Sequence, residues 1–330
     1  MKKVKNIIIA NDAEAFSAII ERIADEGRRS EKIRKEHFLS GRFLFWECDN
    51  KIIVTPFKID QAILAQLPSI GYRDVECWTP KGKGINLCQE IQNDLALFKK
   101  VKGVLRRNPG VILSPYCYTK EFVNLVSSLR KTGTSFSIDQ EPRGEDRRLV
   151  EHLGSKVGFR IEAQVLKLPS PEFYICRNLG EVVDICRYFF AERKPFVIKA
   201  PSGEGGWGVF LSEKKRFASR KGMEEVIINE FETDSIWAEG PFVVEAFIKP
   251  KKGGDSSPSA EVYVDDARAR VTYVCNQIVY KEGKFVGILM GKKCIEKRTE
   301  VLIFSIAQKM GERYRALGYR GFFDIDIVLS

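Results

Sequence analysis

The chain has 330 residues, a formal net charge of +10, 44% apolar residues and 30% charged ones. That length exceeds one ordinary core and predicts two or three domains, and the composition excludes a disordered or fibrous protein. Eight scattered cysteines with no Cys-x-x-Cys pair and only two histidines, His37 and His152, argue against a zinc site and point to a reducing cytoplasm. No stretch approaches the ~18 apolar residues of a membrane helix, and the run Ile7 to Ala10 is too short for a signal segment.

The charge is uneven. Residues 1–150 carry 26 basic against 19 acidic side chains, and residues 151–330 carry 28 against 25. The basic runs Arg28-Arg29 and Lys32 to Lys35 are interrupted by Glu26, Glu31 and Glu36 and lack interleaved aromatics. A solvated helix face explains them better than a nucleic-acid surface.

In chain order, Asn6 to Ala10 predicts a strand and Ala13 to Glu36 a helix with Phe16, Ile19, Ile20 and Ile23 on one side. Phe43 to Trp46 and Ile52 to Thr55, flanking Asp49-Asn50, form a hairpin-like pair. Asp60 to Leu67 is a short helix, Val75 to Trp78 a strand, Gly110 to Leu113 a strand, Lys120 to Leu129 a helix and Ser135 to Ile138 a strand. This alternation predicts an open α/β sheet. Cys117, in Ser114-Pro115-Tyr116-Cys117-Tyr118, has no histidine marked as its base, which disfavours a Cys-His nucleophile. The polar stretch 139–148 is the predicted boundary, giving a first domain over 1–150.

Beyond it, Asn178 with Glu181 three residues on has the form of a capping box and opens a helix through Val182, Val183, Cys186, Phe189 and Phe190. Pro195 to Val209 is the most informative run: an apolar strand ends in Lys199, and Gly203, Gly205, Gly206 and Gly208 follow closely. Glycines let backbone N–H groups turn onto an anion, and the adjacent ammonium adds a point charge. The lysine precedes the glycines, unlike a Walker loop, and Gly208 to Leu211 reads as a returning strand, unlike the dinucleotide fingerprint. A strand, a glycine flap and a second strand suggest a lid over a polyphosphate. Lys249 to Ala260 is a loop between strands. Leu302, Ile306, Met310, Tyr314 and Leu317 recur at helical spacing, with Gly318 as the stop.

Residues 150–330 resemble the ATP-grasp superfamily. The resemblance rests on Ser155-Lys156-Val157-Gly158-Phe159-Arg160, the stretch Leu168-Pro169-Ser170-Pro171, the glycine flap, Phe242-Val243-Val244-Glu245-Ala246-Phe247-Ile248, and Gly318 to Val328. It implies an α/β pre-ATP-grasp domain followed by two α+β subdomains, a lid over 151–240 and a C-terminal one over 241–330. It further implies ATP and Mg²⁺ as cofactors and activation of a substrate carboxylate as an acyl phosphate for attack by an amine, as in amino-acid or peptide ligation. Lys156 and Lys199 would bind phosphates, and Gly203, Glu204, Gly205, Gly206 and Gly208 would shape the lid. Glu245 and Ile248 would meet adenine, Glu261 would reach the ribose, and Asp326 would hold the metal.

The sequence departs from that pattern in two places. Asp324 stands where D-alanine–D-alanine ligases carry an arginine, and the sequence given ends at Ser330, before the Glu-x-Asn strand that would complete the metal site. Asp324 is expected to point to the face opposite Asp326, leaving one confident metal carboxylate and poor turnover. An ATP-binding regulator or scaffold is therefore a competing reading, and a basic nucleic-acid-binding protein a third. The substrate reading implies small-molecule or peptide partners and no membrane, and it leaves homo-oligomerisation open.

Overall fold

A computed structural model describes residues 4–46, 49–203, 206–214, 217–251, 256–280, 284–291 and 294–330. Glu204 and Gly205 of the expected flap lie outside the described residues.

β1 (Asn6–Ile9) is buried at every position, with Ile7, Ile8 and Ile9 fully enclosed, as a strand covered on both faces requires. It pairs in parallel with β2 (Lys51–Val54) on one side and β4 (Ile112–Pro115) on the other. With β3 (Val75–Trp78) and β5 (Ser137–Ile138) the sheet has the order β3-β2-β1-β4-β5, all parallel. The expected open α/β sheet is therefore present.

Two local expectations fail. The helix expected over 13–36 is broken: a 3-10 turn (Ala13–Phe16) and a short helix (Ser17–Ile20) precede a separate helix, Glu26–Leu39, which Asp25 caps by accepting from the Arg28 N–H at 2.7 Å. The expected hairpin is absent too. Residues Ser40–Phe45 form a 3-10 helix, and β2 pairs with β1 instead. Phe43 and Leu44 are consecutive and both buried against Ile8 and Ile53, which a strand with one covered face cannot achieve. Between β3 and β4 two helices escaped the sequence reading, Leu87–Asn93 and Leu95–Arg107, the second capped by Asp94; Arg147–Gly154, Lys156–Val165 and Arg220–Thr233 escaped it later in the chain.

The order places a switch point between β1 and β4. There Asn11 joins the two outgoing loops: Oδ1 accepts from the Tyr116 and Cys117 amides, and Nδ2 donates to the Cys117 carbonyl and to Glu14. Glu14 is buried and also accepts from the Cys88 amide and the Thr119 hydroxyl; burial raises its pKa against the pull of these bonds.

The chain divides into two units, Met1–Glu141 and Pro142–Ser330. The break falls inside the polar stretch 139–148. The second unit holds two antiparallel sheets. In the first, of order β6-β9-β7-β8, β6 (Phe173–Cys176) and β7 (Phe196–Lys199) flank β9 (Phe242–Ala246), and β8 (Val209–Leu211) returns beside β7. Asn178 caps the Leu179–Ala191 helix by accepting from the Glu181 N–H, while the Glu181 carboxylate reaches back to the Arg177 N–H. That helix buries Phe189, whose ring stacks on Phe196 at 6.1 Å.

The second sheet has the order β12-β11-β10-β13, from β10 (Pro258–Val264), β11 (Ala269–Tyr280), β12 (Lys284–Leu289) and β13 (Gly321–Asp326). The Lys297–Leu317 helix covers one face, and Gly318 ends it at φ 106°. Its buried stripe is Ile303, Ala307, Met310 and Tyr314, packed on Ala260, Val262 and Ile325. The expected stripe was one residue off at its start: Leu302 is exposed. Gly311 is needed there, since a Cβ would lie 2.8 Å from Val262 Cγ1. Among the described residues no helix is long and apolar enough to cross a membrane.

Candidate functional site

The site is assembled in the second unit from four elements. Ser155 caps the Lys156–Val165 helix by accepting from the Gly158 N–H at 3.0 Å, which puts Lys156 in the helix's first turn. Gly158 must lack a side chain, because a Cβ would fall 1.9 Å from the His152 carbonyl oxygen. Lys156 meets the flap twice: its N–H donates to the Pro201 carbonyl and its Nζ to the Gly203 carbonyl, both at 3.1 Å.

The flap is the β7–β8 connection. Gly203, Gly206 and Gly208 have φ of 129°, 94° and 75°. A Cβ at Gly203 would lie 2.3 Å from the Trp207 carbonyl oxygen, and one at Gly208 2.8 Å from Ile236 Cγ1. The far end is anchored where Trp207 Nε1 donates to Asp234 at 3.2 Å.

Lys199 ends β7, and its Nζ is bonded to Oε1 of Glu245 on β9. Glu245 is 5% exposed and holds a second cation: Arg160 donates Nε at 2.9 Å and Nη2 at 2.5 Å to Oε2. Both carboxylate oxygens thus carry a cation, a pairing that the sequence reading of Glu245 did not include. Arg160 was missed as a site residue, although it sits one helical turn after Lys156 and in the same run, Ser155 to Arg160. Ile248 is half-buried just past β9.

Asp326 comes from β13, and its Oδ1 accepts from Gln277 Nε2. Burial lowers the pKa of Lys156; the Lys199 charge acts in the same direction, while Asp326 and Glu245 oppose it. These couplings bring Lys156, Lys199, Glu245 and Asp326 into one electrostatic neighbourhood.

The expected orientation of Asp324 is wrong. Residues two apart on a strand share a face, and across the sheet Ser259 pairs with Asp326 and Glu261 with Asp324. Asp324, Asp326 and Glu261 therefore line the face opposite buried Ile325. Asp324 keeps an open edge, yet enclosure by its surroundings raises its pKa to about 6, and the Glu261 and Asp326 charges add to the shift. Glu261 also accepts from the Thr272 hydroxyl at 2.5 Å. Among the described residues no group of three or more His, Cys, Asp or Glu side chains converges as a ready-made metal site. The fit is to a hard cation that takes one or two carboxylates and fills its remaining positions with water and phosphate oxygens.

No protein-family model matches the sequence, and no curated protein matches it. Solved structures do. The biotin carboxylase domain of 2-oxoglutarate carboxylase from Hydrogenobacter thermophilus, a dimer in complex with MgADP, ADP and bicarbonate, aligns with a TM-score of 0.54 and 12% identity over 99% of this chain and 61% of its own. Phosphoribosylamine–glycine ligase from Thermotoga maritima aligns at 0.56 and 14% over 99% of this chain and 66% of its own. D-alanyl-alanine synthetase A from Vibrio cholerae aligns at 0.54 and 9% over 100% of this chain and 86% of its own. The chain has the ATP-grasp fold. It spans about three fifths of the carboxylase chain, so the ATP-grasp likeness is one of architecture, and sequence identity this low leaves the activity to be argued from the site.

Proposed function

We propose that the ATP-grasp unit binds ATP with Mg²⁺ and that the protein is an ATP-dependent ligase, activating a substrate carboxylate for attack by an amine. The observation that carries this reading is the pairing of Lys199 and Arg160 with Glu245, next to a Lys156 that feels the charges of Lys199, Glu245 and Asp326, with Asp326 sharing its strand face with Asp324 and Glu261. Cations on one side and carboxylates on the other suit a polyphosphate carrying a divalent ion, which supplies charge neutralisation at the transferring phosphoryl group.

In this reading Lys156 and Lys199 bind phosphate oxygens, and the N–H groups of the flap close over them. Asp326 and Asp324 would hold the metal. Ile248 and the β9 end would face the base, and Glu261 would reach the ribose. Gly203, Gly206 and Gly208 keep the flap close enough to exclude water from an acyl phosphate. The solved structures alike in fold are a carboxylase domain in complex with bicarbonate, a phosphoribosylamine–glycine ligase and a D-alanyl-alanine synthetase, and a small carboxylate joined to an amine is the class they suggest for this chain.

Titration calorimetry with a non-hydrolysable ATP analogue and Mg²⁺ tests the reading. The protein should bind, and Lys199→Ala should weaken binding about tenfold or more. No heat at millimolar nucleotide overturns it. ADP release that needs both a carboxylate and an amine would distinguish a ligase from a nucleotide-binding scaffold.

A further inference from the structure

We infer that Arg160 is a positioning residue whose task is to hold the charge of Glu245 so that Lys199 can leave it for a bound polyphosphate. This rests on the proposed nucleotide site and adds to it the way the site is made ready. Glu245 is buried in the sheet, and two cations share it, one on each oxygen. The two cations are not equivalent. Arg160 contributes a fork of two donors to one oxygen, its side chain is 14% exposed, and its guanidinium lies 5.9 Å from the rings of both Phe159 and Phe173. A planar cation gripped in this way cannot move without losing several contacts together. Lys199 is tied by a single ammonium on a flexible stem, is 26% exposed, and stands at the root of the glycine flap.

An incoming polyphosphate competes with Glu245 for Lys199. If Lys199 were the only partner, its departure would strand a buried carboxylate, a heavy penalty that would be charged against binding. With Arg160 in place the carboxylate stays paired after Lys199 has gone. The local charge also favours the exchange: three cations, Lys156, Arg160 and Lys199, stand against Glu245 and Asp326, which leaves an excess of positive charge where an anion would arrive. The arrangement makes Lys199 the mobile cation and Arg160 the fixed one.

The test compares ATP with adenosine, which lacks the phosphates, by calorimetry on the full chain. Arg160→Met should weaken ATP binding about tenfold while changing adenosine binding much less, because the loss acts through Lys199. In a Glu245→Gln background, where no carboxylate detains Lys199, the same Arg160→Met change should have little further effect on ATP. Arg160→Lys should restore part of the affinity. Equal loss for ATP and adenosine, or an undiminished effect of Arg160→Met beside Glu245→Gln, would overturn the inference while leaving wild-type nucleotide binding intact. A wild-type protein that binds neither ligand would overturn it together with the proposed function. If Arg160→Met fails to fold, Arg160→Gln, which keeps a donor and removes the charge, carries the same comparison.

Discussion

Asp324 and Asp326 stand two residues apart on β13, with Ile325 buried between them, and so present their carboxylates to the same side of the sheet beside Glu261. This removes the reason for expecting a single metal carboxylate. It also gives the site an internal repulsion that a cation would relieve.

Enclosure of the Asp324 carboxyl, reinforced by that repulsion, predicts a pH dependence of stability. Asp324 holds its proton more tightly in the fold, at about 6 against 3.8 for the free group. The folded state therefore binds more protons than the unfolded chain between those values, and stability falls as pH rises through that window. Asp324→Asn cannot ionise, so in metal-free buffer it should melt above wild type at pH 7.5, and the difference should vanish toward pH 4. A difference that is the same at both pH values would refute the assignment.

Alanine at the flap glycines should act on fold and ligand together. Gly203→Ala forces a Cβ to within 2.3 Å of the Trp207 carbonyl oxygen at a φ of 129°, and should cost about 1–3 kcal/mol and most of the nucleotide affinity. Gly71→Ala is the control. Its φ is 102° but nothing lies within 4 Å of the added Cβ, so only the backbone strain of about 1–2 kcal/mol remains, with nucleotide affinity unchanged. Thermal melts and calorimetry on both variants decide the matter.

Glu162→Ala should loosen the seat of the Lys156–Val165 helix. Glu162 is buried and accepts from Arg313 Nε at 2.6 Å, linking this helix to the long Lys297–Leu317 helix. Arg313 is partly exposed, so solvent softens its loss of a partner, and a cost of about 2 kcal/mol is expected in urea unfolding. In an Arg313→Met background the cost should shrink, and an undiminished cost would show that Glu162 acts through packing alone.

Asn11→Ala should uncouple the loops after β1 and β4. Its side chain makes four hydrogen bonds in a site closed to solvent, so a loss of about 2–4 kcal/mol is expected. The readout is faster hydrogen exchange at the Tyr116 and Cys117 amides. Unchanged protection there would mean that the backbone alone holds the loops.

The sequence showed the flap end of the candidate site better than its interior. Lys199 and the glycines were visible because the flap is local: a strand, a tight turn and a return need no distant partner. Lys156 and Asp326 were reached through motif order. Arg160 was not, because its role depends on a residue 85 positions away, and no local pattern marks a helix arginine that meets a strand carboxylate. The error at Asp324 was one of strand geometry and could have been avoided from the period of two alone. The misread hairpin has a different cause: Phe43, Phe45 and Trp46 have strong strand preference, and only the common burial of Phe43 and Leu44 against Ile8 and Ile53 favours a 3-10 turn.

The Lys156–Val165 helix also sets a rule for what the chain can tolerate. Lys156, which reaches the flap, and Arg160, which reaches β9, are separated by one hydrogen-bonded turn, about 6 Å of axial rise with both side chains on the same flank. One residue inserted between them would swing Arg160 about 100° around the axis and away from Glu245. The same insertion in the connection 167–171, after the helix has ended, would change neither angle. Length variation in this part of the molecule is thus confined to the connection, while the segment 157–159 is fixed in number, and at Gly158 in kind as well.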